Sequence, residues 1–247
     1  MVLKEGDFVR INYTGKITGS NTVFDTTFEK VAKDKGIFDE KIRFKPTPVV
    51  IGSGHVIGGV DEALVGMEVG EKKTIEVPPE KAYGKRDPSL VKVVPVKDFK
   101  RQGVTPIPGM RFEADGRMGK VQSVGGGRVR VDFNYELAGK TLEYEVNMEE
   151  KVNKLEEKIR LFVEIHFPYA DHNEHEITMD DGKVVIVLSD AARTRREAPV
   201  GKHLLVGDVL KHFEKIKAVE FRELFEREKK EKPKPPTKSK KRAKKQK

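Results

Sequence analysis

Two segments far apart in this chain carry the same strand pattern, so a sheet that holds both must close over a long intervening stretch. Leu142, Tyr144, Val146 and Met148 alternate with Glu143, Glu145 and Asn147, a period of two that places apolar side chains on one face of an extended strand. Asp7-Phe8-Val9-Arg10-Ile11-Asn12-Tyr13 alternates in the same way, with one face expected to be buried. A strand with one polar face needs a sheet to join, and the N-terminal third supplies it. Phe24-Asp25 ends a second extended run, Val49-Val50-Ile51 forms a third, and Lys72 to Val77 a fourth that Pro78-Pro79 stops. Between the last two, Val60, Leu64 and Val65 with early Asp61 and Glu62 predict a short amphipathic helix closed by Gly66. Residues 29 to 46 are charged and irregular, with helical character from Glu29 to Lys35, and read as a surface excursion.

The intervening stretch changes texture near residue 87, where Asp87-Pro88 and Pro95 open a run of short strands. Lys120 to Val124 and Arg128 to Phe133 flank Gly125-Gly126-Gly127, a hairpin whose tip needs positive φ. Residues 87–137 therefore read as a small β-rich insert within a discontinuous unit made of 1–86 and 138–152. From Asn153 a new unit starts: Asn153 and Glu156 have capping-box spacing, and Leu155, Ile159, Phe162 and Val163 share one helical face. Strands Glu174 to Met179 and Lys183 to Leu188 flank Asp180-Asp181-Gly182, followed by a helix from Leu204 to Phe213 and a strand from Ala218 to Phe225. Residues 153–228 are thus expected to form an αββαβ domain, and the lysine run at 229–247, with its Pro233, Pro235 and Pro236, a disordered basic tail.

Charge and composition then narrow the chemistry. Of the net +9, residues 229–247 hold eleven Lys or Arg against one Glu, a net of +10, so residues 1–228 carry −1. The folded body is nearly neutral, and a basic face cannot be its defining feature. With no cysteine, disulfides, thiolate metal sites and cysteine nucleophiles are excluded. The longest apolar runs, such as Val184 to Leu188, fall far below the roughly 18 residues of a membrane span. No signal-type h-region opens the sequence, so a cytoplasmic, non-membrane protein is expected. There is no phosphate-binding Gly loop, no Gly-x-Ser-x-Gly elbow and no His-Glu-x-x-His helix. His172 and His175 are close, but a His-x-x-His pair without a fixed third ligand reads as a solvated turn, and His55, His166, His203 and His212 receive no role. Neither a metal nor a cofactor is implied.

Tyr13, Phe24, Val56, Ile57, Val60, Tyr83 and Tyr144 stand at strand ends around the short helix. Singly, each is a core residue. As a set they lie within Tyr13-Thr14-Gly15, Phe24-Asp25-Thr26-Thr27, Gly52 to Gly59, Gly66-Met67-x-x-Gly70-Glu71-Lys72, Ala82-Tyr83-Gly84 and Leu137-Ala138-Gly139-Lys140-Thr141-Leu142. That series resembles the FKBP-type peptidyl-prolyl cis-trans isomerases, and the insertion after Tyr83-Gly84 with the added C-terminal unit is similar to the archaeal long-type members related to SlyD.

The resemblance implies an α+β fold in which a curved antiparallel sheet wraps a short helix. An apolar pocket between them would hold an X-Pro bond and let it rotate without a covalent step. By the same resemblance, Tyr13, Phe24, Asp25, Ile57, Tyr83 and Tyr144 act on the substrate, while Val56 and Val60 line the pocket. Ile57 would offer its N–H and Tyr83 its hydroxyl to substrate carbonyls, with Asp25 beside Tyr13 near the carbonyl preceding proline. The sequence departs from the family where Val60 stands at a pocket floor that is often Trp, and where the insert replaces the overhanging loop.

The insert would bind unfolded or nascent polypeptides and pass their prolines to the pocket. Val91, Val93, Val94, Phe99, Val104, Ile107, Met110 and Phe112 could supply its apolar surface, although a fold of this size also needs them for its core. The C-terminal domain would mediate a homodimer. One rival is an RNA- or ribosome-associated protein, using the KOW- or SH3-like hairpin at Lys120 to Phe133 and the basic tail for weak, salt-sensitive contact. A purely structural adaptor is another.

Overall fold

The computed structural model describes residues 2–20 and 22–223; the tail expected at 229–247 lies outside the described residues. The two distant strand segments do pair. Strand β1 (Phe8–Ile17) runs antiparallel to β9 (Leu142–Val152) along its whole length, from Phe8 opposite Val152 to Ile17 opposite Leu142. The other edge of β1 is shared: β3 (Thr47–Val50) pairs with Phe8 to Ile11, and β2 (Val23–Thr26) with Thr14 to Lys16. Strand β4 (Lys72–Val77) completes the sheet on the far side of β9. Between β2 and β3 the excursion carries only α1 (Glu29–Asp34).

Helix α2 (Gly58–Leu64) lies on this sheet, and Val60, Leu64 and Met67 bury against Val9, Ile11, Val77, Leu142, Val146 and Met148. The helix can approach because residue 59 is glycine: a Cβ there would sit 2.5 Å from Val77 Cγ1. Val65, expected on the inner face, caps the helix C-terminus and is exposed.

The insert is a four-stranded antiparallel sheet in the order β5 (Val91–Pro95), β8 (Arg128–Asp132), β7 (Arg117–Gly125), β6 (Arg111–Ala114), with helix α3 (Val96–Arg101) against it. Its core is small. Phe99, Val121, Val129 and Val131 fill it, with Val94, Val104, Met110 and Phe112 half-buried around them, while Val93 and Ile107 remain open to solvent. Phe99 is therefore a core residue rather than part of a client surface.

The C-terminal unit follows the predicted order with one helix more: α4 (Leu155–His166), β10 (Glu176–Asp180), β11 (Lys183–Val187), α5 (Asp190–Arg193), α6 (Ala198–His212) and β12 (Ala218–Arg222). β10 and β11 form the hairpin, and β12 pairs parallel to β11, which requires the helical crossover that α5 and α6 supply. The capping box does not form: Lys154 occupies the cap position, and Asn153 donates instead to the Lys151 carbonyl. Leu155 lies exposed at the start of α4, while Ile159, Phe162 and Val163 are buried as the pattern predicts.

Strand β1 is apolar on both faces at its start. Val9 enters the core under α2, whereas Phe8, with Val50 and Val152, belongs to the core of α4 and α6. The Phe8 ring stands edge-on to Phe162 at 5.2 Å and stacks on Phe213 at 5.6 Å. Arg10, on the same face, pairs with the buried Glu164 carboxylate of α4 at 2.7 Å, and Lys45 pairs with it as well. The C-terminal unit thus covers the outer face of the first sheet.

Candidate active site

The expected site residues come from four separate elements and two connecting segments and converge at one end of the sheet. Tyr13 lies on β1, Phe24 and Asp25 on β2, Tyr144 on β9, and Val60 on α2. Val56 and Ile57 close the loop before α2, and Tyr83 follows the 3-10 turn Pro79–Lys81 after β4. Gly15 makes the convergence possible. It sits opposite Asp25 on one neighbour and Tyr144 on the other, and a Cβ there would lie 2.7 Å from Phe24 Cζ and 3.1 Å from Tyr144 Cε1. In the space left, the Phe24 ring stands edge-on to Tyr144 at 5.7 Å, and Tyr13 tilts against Tyr144 at 5.8 Å.

Val60 and Tyr144 form a closed floor, 2% and 5% exposed, while Tyr13, Phe24, Val56, Ile57 and Tyr83 are half-buried around it. A bound group would rest on this floor between the half-open side chains rather than sink beneath it.

The polar groups here are directed. Tyr13 Oη donates to Asp25 Oδ2 at 2.9 Å, and burial, reinforced by the Asp25 charge, pushes the Tyr13 phenol well above its ordinary range. Burial does the same to Tyr144, whose hydroxyl is paired with that of Tyr83. Tyr83 is also raised by burial, so all three phenols stay protonated at neutral pH. Two paired hydroxyls use one proton between them, so the Tyr83–Tyr144 pair keeps one for an outside acceptor. The Ile57 N–H has no protein acceptor among the described residues, while the Ile57 carbonyl accepts from the N–H groups of Val60 and Asp61 at the start of α2. Two donors without protein acceptors therefore flank an apolar floor.

Tyr83 leads outward. Its ring packs on Tyr135 at 4.8 Å, and Tyr135 lines a cleft of about 840 Å3 on the insert, with Arg111, Met118 and Phe133 and with Arg86 at the junction.

The histidine pair does not form a solvated turn. His175 is buried, its Nδ1 accepts from the Ser189 N–H, and Arg160 donates to the carbonyls of both His172 and His175. No cluster of three or more His, Cys, Asp or Glu suited to a metal occurs among the described residues. Three of the histidines given no role, His55, His166 and His212, meet beside Asp208 at the seam with the C-terminal unit. Nothing in their sequence spacing marks that meeting.

Two family models match the added parts of the chain: FKBP26, IF domain, over residues 92–137, and FKBP26 C-terminal over residues 155–226. A short-type peptidyl-prolyl cis-trans isomerase of Methanocaldococcus jannaschii is 39% identical over 147 residues, spanning 60% of this chain and 92% of that protein. The FKBP-type isomerases SlyD of Vibrio cholerae and Haemophilus influenzae are each 34% identical over 133 residues, 52% of this chain and 65% and 69% of theirs. With the sheet wrapped on a short helix and these relatives together, the chain belongs to the FKBP-type peptidyl-prolyl cis-trans isomerases, its isomerase unit extended by an inserted and a C-terminal domain.

Proposed function

We propose that Tyr13, Phe24, Asp25, Ile57, Tyr83 and Tyr144 act on the prolyl bond of an unfolded polypeptide, with Val56 and Val60 completing the apolar surface under the proline ring. Rotation about X-Pro is slow because amide resonance opposes it, with a barrier of about 18–20 kcal/mol. Resonance separates charge, and a dry floor of rings and branched side chains disfavours that separation. The twisted amide, which has lost it, is penalised less. Each factor of ten in rate requires only about 1.4 kcal/mol of such preference. No nucleophile takes part.

The observation that carries this reading is the Ile57 N–H, without a protein acceptor among the described residues, beside the apolar floor and the paired hydroxyls of Tyr83 and Tyr144. They would hold the carbonyls on either side of the rotating bond while the Tyr13–Asp25 hydrogen bond fixes the far wall. Isomerisation of a short proline peptide by Phe24→Ala, Tyr83→Phe and Asp25→Ala variants tests it. Phe24→Ala is expected to lose most activity and Tyr83→Phe to lose about three- to tenfold in kcat/KM, the worth of one hydrogen bond. Full activity in all three would remove the site from these residues.

The chain is read further as an archaeal long-type member divided into 1–86 with 138–152, 87–137 and 153–228, acting in the cytoplasm. In that reading the insert supplies a chaperone surface, and Val93, Ile107 and Met118, each about 60% exposed, are the side chains available for it. A client held there would reach the prolyl site across the Tyr135–Tyr83 contact. Removing residues 88–137 should then slow catalysis of a proline-limited refolding reaction far more than catalysis on a short peptide. Equal effects on both would break the coupling. The homodimer proposed through the C-terminal domain is checked by sedimentation with and without residues 153–228.

A further inference from the structure

The loop that carries Val56 and Ile57 is held partly by its own unit and partly from outside it. It runs from Ile51 to Ile57, and Gly52 and Gly54 both adopt left-handed backbone, with φ of +80° and +73°. Glycine grants that geometry at the cost of conformational freedom, so an untethered loop of this kind samples many positions. From below, Asp61 of α2 accepts the Gly52 N–H at 2.8 Å and the Gly54 N–H at 3.0 Å. Within its own segment, the Ser53 N–H reaches the Val50 carbonyl at 3.1 Å and the Val50 N–H reaches His55; the ties to the Ser53 and His55 side chains from outside come from the C-terminal unit.

Ser53 Oγ lies 3.2 Å from His212 Nε2, and His212 Nδ1 lies 2.9 Å from the Asp208 carbonyl one turn earlier on α6. A carbonyl can only accept, so Nδ1 carries the proton and Nε2 is left to accept from Ser53. His55 is fixed by the same logic. Its Nδ1 accepts the Val50 N–H at 3.1 Å, which puts its proton on Nε2, 3.9 Å from Asp208 Oδ2. Asp208 is held in turn by His166 Nε2 of α4 at 2.7 Å. The His55 ring also stands edge-on to Phe162 at 6.2 Å, and His212 packs between Phe162 and Phe8.

We propose that the C-terminal unit is a positioning element for the prolyl site, in which His212 and Asp208 hold Ser53 and His55 and so fix the loop that presents the Ile57 N–H. The inference rests on the reading of Ile57 as a substrate donor given above. Its physical content is preorganisation. Substrate binds only the loop position in which Ile57 faces the floor, and the apparent affinity falls by the fraction of time the loop spends there. Once substrate is bound the loop is in place, so the turnover step is unchanged. Loosening the ties therefore raises KM and leaves kcat alone, whereas a general loss of folded protein would lower kcat and leave KM alone.

The test uses the full chain with Ser53→Ala, His212→Phe and the double variant, read by kinetics on a short proline peptide and by hydrogen exchange at the Gly52 and Gly54 amides. Phenylalanine keeps a ring between Phe8 and Phe162 but removes the acceptor, and His212→Gln returns one. We expect KM to rise about three- to tenfold in each single variant with kcat within about twofold, the double no worse than either, and Gln closer to wild type. Exchange at Gly52 and Gly54 should quicken in the same variants. Unchanged exchange in Ser53→Ala and His212→Phe would overturn the proposal, as would a fall in kcat at constant KM. Faster exchange with unchanged KM would also overturn it, and a parallel Phe24→Ala control tells the two failures apart. Lost activity there keeps the pocket and rejects only the positioning role, while full activity there rejects the pocket itself.

Discussion

At Gly15 one missing methyl decides whether three aromatic rings can meet. The glycine has ordinary negative φ, so the constraint is space alone: an alanine Cβ would press on Phe24 Cζ at 2.7 Å. Gly15→Ala should push Phe24 off Tyr144, cost about 1–3 kcal/mol as an overpacked site, and lower kcat/KM for a proline peptide. Thermal unfolding and peptide kinetics read the two effects, and a variant with wild-type values in both would show that Phe24 yields without consequence. Tyr13→Phe is subtler. It removes the donor to Asp25 but keeps the ring on Tyr144, so stability should change by about 1 kcal/mol while any change in kcat/KM measures what the Asp25 orientation contributes. Sequence made Tyr13, Phe24 and Tyr144 legible as a set only because the motif that contains them is long. Their individual chemistry was not legible, since the pairing of the Tyr144 and Tyr83 hydroxyls depends on a register and a turn separated by about 60 residues of chain.

Among elements, the strands were the easiest to read and the helix ends the hardest. Period-two alternation marks β1, β4 and β9 because each has one face on a single core over most of its length. The same alternation hid the role of Phe8 and Val50, whose side chains point to the opposite face and are covered by a unit that starts more than 100 residues later. Helix α6 begins at Ala198, before the amphipathic pattern, and Gly201 in its first turn lets it lie close to α4: a Cβ there would lie 2.9 Å from the His166 carbonyl. The tie between α4 and β1 is open to test through Glu164. Burial pushes this carboxyl up, but hydrogen bonds from Lys45 and Arg10 and their charges outweigh it and hold it below the ordinary range. Glu164→Gln should therefore cost about 1–3 kcal/mol, since both cations lose the charge that compensates their partial burial. Denaturant titration checks it, and a loss under about 0.5 kcal/mol would mean that the pair merely offsets its own desolvation.

For the whole molecule the buried and half-buried histidines supply a pH dependence that the sequence did not announce. His55, His172 and His175 are each held below the ordinary imidazole range first by burial, with nearby carboxylates opposing and, for His172 and His175, Lys45, Arg10 or Arg160 assisting. Their positions differ from those of the prolyl site: His175 lies inside the C-terminal unit, His172 beside Lys45, and His55 at the seam against Phe162 and Asp208. An unfolded histidine takes up its proton near pH 6.5, whereas these three in the folded chain resist until lower pH. Between those limits the unfolded state binds more protons, so stability is full above about pH 6.5 and declines as the pH falls toward the folded values. Glu164 acts in a separate and more acidic window, below about pH 4.5, where its protonation begins to cost the ion pairs with Arg10 and Lys45.

Because the burden falls on the C-terminal unit and its seam, the first sheet should be spared. Calorimetry from pH 7.5 to 5 is expected to show the transition of the C-terminal unit moving to lower temperature and separating from that of the isomerase unit. Neutral His175→Gln should flatten the slope, since glutamine can still accept from the Ser189 N–H but binds no proton. A single transition whose midpoint is the same at pH 7.5 and pH 5 would show that these rings titrate alike in both states. The histidine seam would then be a packing feature with no hold on how firmly the two units are joined.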